Sequence, residues 1–149
     1  MSERVETAVA LFEDGYSCAQ SILAVYGPPL GVAREAALRI AAPLGGGMSR
    51  TDGPCGAATG ALLVLGLQFG HAHPDDEERA ARVRDLTQDY LEKYRERKGS
   101  TMCTDILGHN LSLTGVPEKV KEGQLSGETC PEAVRCAAQL LEEYLDMET

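Results

Sequence analysis

The residues best equipped for chemistry in this chain are its five cysteines, Cys18, Cys55, Cys103, Cys130 and Cys136. No two are separated by only two residues, so neither the paired C-x2-C turns of zinc knuckles nor the C-x-x-C of thioredoxin-like proteins applies. Four of them stand singly at expected helix beginnings. Ser17 is placed to cap a helix entering Cys18; Gly53 and Pro54 precede Cys55; Ser100 and Thr101 precede Cys103; Thr129 precedes Cys130, with Pro131 suited to a first helical position. A helix start offers unpaired backbone N–H groups and the positive end of the dipole, which favours thiolate over thiol. A free cysteine with a pKa of about 8.5 is roughly 3% thiolate at neutral pH, and one lowered to about 6.5 is roughly 75% ionised. If four such thiolates converge, repulsion at ~6 Å in an effective dielectric near ~20 is on the order of 3 kcal/mol per pair. They must then protonate, pair as disulfides or bind a cation. Cys136 reads differently. A residue six places after Cys130 is turned about 240° around a helix, so it shares no face with it and is left out of the site as a small packed hydrophobe.

Other chemistry-bearing residues carry less. His71 and His73 flank Ala72 in a loop and read as solvated. His109, six residues after Cys103, reads as a helix-end residue. The triplet Gly45-Gly46-Gly47 lacks both the following Lys-Ser/Thr and a preceding strand, which excludes a phosphate loop; it reads as a flexible crossing that brings Met48 and Arg50 beside the Cys55 helix. Asp14, Asp52 and Asp105 lie near cysteines, where a carboxylate opposes thiolate formation, so they read as caps or surface charges.

The elements that must position the cysteines are helical. The 18 uncharged residues from Gly53 to Gly70 approach the length of a membrane span, but five are Gly and two, Thr59 and Gln68, are polar, which points to a buried helix. Gly56 and Gly60 are four apart, as are Gly66 and Gly70, so each pair is expected to admit a neighbouring backbone. In Glu77 to Arg97, Ala80, Val83, Leu86, Tyr90, Leu91 and Tyr94 recur at helical steps between charged residues, with Asp75-Asp76 before and Gly99 after. Pro131 to Leu145 repeats the pattern with Val134, Ala137, Ala138, Leu141 and Leu145. Val5 to Phe12, Cys18 to Tyr26, Val32 to Ala42, a turn at Thr104 to Leu107 and one at Pro117 to Lys121 complete the set. Residues 109–129 are expected to be the least ordered. No strand is expected, so the fold class is all-α: a single-domain helical bundle, 1–149, with a buried glycine- and alanine-rich central helix.

Composition narrows the function. A chain of 149 residues buries roughly 68 to 70% of its unfolded surface and needs no staples, which leaves the cysteines available for function. The formal charge of −9 opposes binding to nucleic acid and anionic lipid. The start MSERVETAVA shows no basic cluster leading into an apolar run, so a cytoplasmic location is expected, where thiols serve metal binding or redox chemistry rather than structural disulfides.

The run GGGMSRTDGPCGAATGALLVLGL, Gly45 to Leu67, resembles the signature of the redox-active proteins named for the pattern C_GCAxxG_C_C. YSCAQSIL at Tyr16 to Leu23 is similar to that family's first-cysteine segment, the run from Cys103 through Thr104, Asp105, Ile106 and Leu107 to Gly108 to its third, and Cys130-Pro131 with the following helix to its fourth. The resemblance implies a small helical domain in which Cys18, Cys55, Cys103 and Cys130 form a redox or metal centre. It further implies an iron–sulfur cluster or another thiolate-bound metal, since a similar domain accompanies an iron–sulfur centre in a haem-containing relative. This chain lacks the C-x-x-C-H of c-type haem attachment.

Three functions remain open. The first is electron transfer or redox sensing at a four-cysteine metal or iron–sulfur centre, although spacings of 37, 48 and 27 residues match no local ferredoxin run. The second is a thiol–disulfide oxidoreductase or peroxide sensor in which Cys55 attacks. The third is a structural helical interaction domain whose cysteines only pack. Either redox reading implies an electron partner that no residue identifies, and the small-residue helix faces would also suit a homodimer.

Overall fold

The structure, a computed structural model, describes residues 2–121 and 128–147. Its helices follow the sequence pattern closely. Ser2 caps α1 (Glu3–Glu13) through the Arg4 N–H, and Asp14 ends it. α2 (Cys18–Tyr26) begins in a full capping box, with Ser17 and Gln20 exchanging side-chain and backbone hydrogen bonds. α3 (Arg34–Ala41) leads into a short segment, α4 (Gly45–Arg50), and then α5 (Gly56–Phe69), of which Cys55 is the N-cap. The long α6 (Glu77–Lys98) is capped by Asp76 and closed by Gly99 in the left-handed conformation. α7 (Cys103–Leu107), α8 (Val116–Lys121) and α9 (Thr129–Leu145) complete the order. Of the stretch expected to be least ordered, 122–127 lie outside the described residues. Among the described residues there is no strand; Pro54 and Met102 form one isolated antiparallel bridge. None of the described helices is long and apolar enough to cross a membrane.

α5 is apolar nearly all round, and such a helix must be buried. Ala57, Ala58, Ala61, Val64, Leu65 and Phe69 are all inaccessible, packed among α2, α6 and α9. Each buried Val, Leu or Phe contributes about 1.5–3 kcal/mol. Close approach to α2 depends on Gly60, where a Cβ would stand 3.0 Å from Ala19 Cα; a Cβ at Gly56 would stand 3.0 Å from Leu44 O, just before α4, and 3.4 Å from Ala19 N. The second expected pair behaves differently. Gly66 has no neighbour within 4 Å, and a Cβ at Gly70 would strike only the Gly66 backbone, so this pair admits no second helix. The helix has reached the surface by then, and Leu67 emerges there. Against the other side of α5, Tyr90 and Tyr94 of α6 and Tyr144 of α9 are fully buried.

Candidate functional site

Four backbone devices bring distant cysteines together. α2 starts at Cys18, and Ala19 beside it packs on Gly60, which sets the Cys18 turn against the start of α5. Cys55 and Cys103 flank the isolated bridge: the Cys55 N–H donates to Thr101 O at 2.7 Å, and the Cys103 N–H donates to Gly53 O at 3.0 Å. Cys130 enters from the first turn of α9, which packs on α1, α2 and α5.

The fourth device is α4. The triplet Gly45-Gly46-Gly47 does not form a flexible crossing. Gly46, Gly47, Met48, Ser49 and Arg50 all have positive φ, as does Asp52, making a left-handed turn in which three consecutive residues are not glycine. L-residues resist this conformation by roughly 1–2 kcal/mol each. Local bonds and one tertiary bond hold it: Gly47 O accepts from the Gly53 and Thr51 N–H groups, Ser49 Oγ donates to Pro43 O, and Thr104 Oγ1 donates to Asp52 from α7. The turn presses buried Gly47 onto Cys103, where a Cβ would come within 2.8 Å of Cys103 Cβ and 3.3 Å of its Sγ. Met48 and Arg50, expected beside the Cys55 helix, point to solvent.

Cys18, Cys55, Cys103 and Cys130 line one cavity of about 150 Å³, closed otherwise mainly by apolar groups of Phe12, Ile106, Leu107, Leu111, Val120 and Ala133. Cys136 is half-buried outside it. His71 and His73 are exposed, His109 is half-buried beyond α7, and none of the three lines the cavity. Asp14 caps α1 and Asp105 accepts from Ser100, as their reading as caps and surface charges requires. Asp52 fastens the left-handed turn.

The four sulfurs feel one another. All five cysteines are free thiols. The Cys18 thiol is pushed well up, first because it donates a hydrogen bond to Cys130, then by burial and by the fields of Cys55, Cys130 and Cys103. Cys130 is lowered by the same hydrogen bond, with Lys98 assisting against burial. Of the two, Cys18 therefore holds a proton more firmly and Cys130 ionises more readily. Burial, Cys55, Cys130 and Asp52 push Cys103 up to about 12. The expected thiolate-promoting effect of a helix start sets none of these three: burial and mutual repulsion raise Cys18 and Cys103, and Cys130 is lowered by Cys18 and Lys98.

Cys55 is 5% exposed, and its sulfur lies 3.3 Å from the hydroxyl of buried Tyr94. The sequence reading placed Tyr94 only in the apolar stripe of α6. A tyrosine on a fully buried face was the available signal, since its hydroxyl needs a partner. Among the described residues, no three His, Cys, Asp or Glu side chains converge closely enough to hold a single metal ion.

A protein-family model described as "Putative redox-active protein (C_GCAxxG_C_C)" matches residues 16–144. No curated protein and no solved structure matches the chain.

Proposed function

Because the chain belongs to the C_GCAxxG_C_C family of redox-active proteins, whose matched span contains all four cavity cysteines, we propose that Cys18, Cys55, Cys103 and Cys130 ligate an iron–sulfur cluster serving electron transfer or redox sensing. The observation that carries this reading is the cavity itself, to which four separate elements each bring one thiol. Its volume of about 150 Å³ equals that of roughly five water molecules at about 30 Å³ each, far more than a bare ion fills. Four soft sulfur donors suit a cluster, which Cys18, Cys55, Cys103 and Cys130 would hold through more than one iron, standing further apart than around one ion. This also accommodates sulfurs that do not converge on a single point.

When bound, a cluster accepts and releases single electrons. The protein's own contributions are otherwise. Apolar side chains exclude water, Gly47 and Gly56 leave room where a Cβ would intrude, and the Pro54–Met102 bridge fixes the separation of Cys55 from Cys103. Thiols raised by burial and by each other ionise once a cation compensates them, so loading releases protons. Protein purified without oxygen should contain iron and sulfide, with charge-transfer absorption in the visible. Metal-free protein that also resists reconstitution rejects the cluster.

One observation favours a second reading, a thiol–disulfide oxidoreductase or peroxide sensor. Cys18 and Cys130 line the same cavity and shift each other's ionisation in opposite directions, and Cys130 also borders an open groove of about 930 Å³ beside it. In this reading Cys130, rather than the enclosed Cys55, attacks a partner disulfide. A mixed disulfide forms as the partner's other sulfur leaves as thiolate; Cys18 then displaces the second partner thiolate, leaving a Cys18–Cys130 disulfide. Mass spectrometry of metal-free protein after mild peroxide should find that pair. Scattered pairing counts against it.

A further inference from the structure

Tyr94 belongs to α6, a helix that contributes no residue to the cavity lining, yet its hydroxyl oxygen is 3.3 Å from Cys55 Sγ. Both side chains are buried, Tyr94 at 0% and Cys55 at 5% exposure. The ring is not free to turn away. It stacks on Tyr90 with centroids 6.3 Å apart and planes 15° apart. Tyr90 is itself held by its hydroxyl, which donates to Ala137 O of α9 at 2.9 Å, and by Tyr144, 5.7 Å away. A stack anchored on two helices therefore aims one hydroxyl at one of the four sulfurs.

We propose that Tyr94 is a positioning residue for the redox centre, donating a hydrogen bond to the Cys55 sulfur and raising the reduction potential of the group bound there. The inference rests on the cluster reading. A metal-bound thiolate has no proton, so the hydroxyl is the donor of this pair. Reduction adds one electron from an external reductant and makes the sulfurs more negative; no bond breaks, and the proton stays on the tyrosine oxygen. A donor aimed at sulfur stabilises the reduced state more than the oxidised one, and a buried, water-poor setting strengthens the effect.

The test is a potentiometric titration with dithionite of wild type, Tyr94→Phe and Tyr144→Phe, with iron and sulfide measured on each. Tyr144→Phe controls for loss of a buried-ring hydroxyl that faces Asp89 instead of the centre. With equal cluster content, Tyr94→Phe should lower the reduced-to-oxidised ratio at a fixed poise about tenfold, which is 59 mV for one electron. Tyr144→Phe should match wild type. Should Tyr94→Phe fail to fold, 3-fluorotyrosine at position 94 keeps the shape and strengthens the donor, and should move the potential upward. Coincident potentials for wild type and the position-94 variants overturn the role of Tyr94 and leave the cluster standing. A wild type without iron and sulfide overturns both.

Discussion

Cys55 and Cys130 line the same cavity but meet the rest of the protein in opposite ways. Cys55 is enclosed: its N–H is fixed to Thr101, its neighbour across the bridge is Cys103, and its sulfur meets Tyr94. Cys130 stands in the first turn of α9, shares a hydrogen bond with Cys18 and lies where the cavity meets the outer groove. The Cys55–Cys103 side owes its geometry to backbone: a two-bond bridge and a strained left-handed turn leave little freedom. The Cys18–Cys130 side owes its geometry to helix packing, with a proton shared between thiols. One side is built to keep its sulfurs in place, and the other holds the cysteine that borders both the cavity and the outer groove. Electron flow through a fixed centre favours the first, and exchange chemistry favours the second.

The rigid side breaks hardest at Gly47. Its φ of +66 already opposes any side chain, and a Cβ would meet Cys103 Cβ at 2.8 Å and Gly53 O at 3.2 Å. Strain of about 1–2 kcal/mol and overpacking of about 1–3 kcal/mol together predict that Gly47→Ala costs about 2–5 kcal/mol in urea unfolding. A loss below about 1 kcal/mol would mean that the turn yields easily, and the contrast between the two sides would dissolve.

The reactive side is sharpened by separating its two thiols. Replacing Cys18 with Ala removes the hydrogen bond that lowers Cys130. A bond to a charged group is worth about 1.5 kcal/mol, so alkylation of Cys130 by iodoacetamide in metal-free protein should slow about tenfold at neutral pH. Alkylation of Cys55 should remain slow in both proteins, because it is enclosed. If Cys55 reacts first in the wild type, the assignment of fixed and accessible sulfurs is inverted.

Legibility in the sequence divides along the same line. Helices set by local periodicity could be read to within a residue or two: the expected Glu77 to Arg97 is α6, Glu77–Lys98, and Ser17 caps α2 as its position before Cys18 implied. Cys136 falls outside the cavity, as its rotation from Cys130 around one helix predicts. The Cys55–Cys103 side was harder to see. Met48, Ser49 and Arg50 have no intrinsic preference for left-handed backbone; bonds to Pro43 and Gly53 within the turn and to Thr104 across 52 residues hold it, and no periodicity signals them. Tyr94 meets Cys55 across 39 residues of sequence, a contact no periodicity encodes. The helix-start argument also missed the rise at Cys18 and Cys103, because burial depends on what covers a residue rather than on what precedes it.

The smallest expected effect tests whether Cys103 is held as a thiol by its surroundings. An unfolded cysteine titrates near 9.0, whereas Cys103 in the fold is pushed up to about 12. A group whose folded value is raised contributes stability that is complete below the unfolded value and disappears as pH climbs toward the folded one. Metal-free protein should therefore lose stability from about pH 8 to 9.5, before the tyrosines of the unfolded chain ionise near 10. Cys18 and Cys136, both raised, add to this loss, while Cys130, lowered, acts with opposite sign. Cys103 contributes its share modestly, because it is only partly buried and solvent screens it. Cys103→Ser should flatten the urea midpoint across this window. An unchanged slope in that variant would move the alkaline sensitivity to Cys18 and Cys136 and make the supposedly fixed side the electrostatically neutral one.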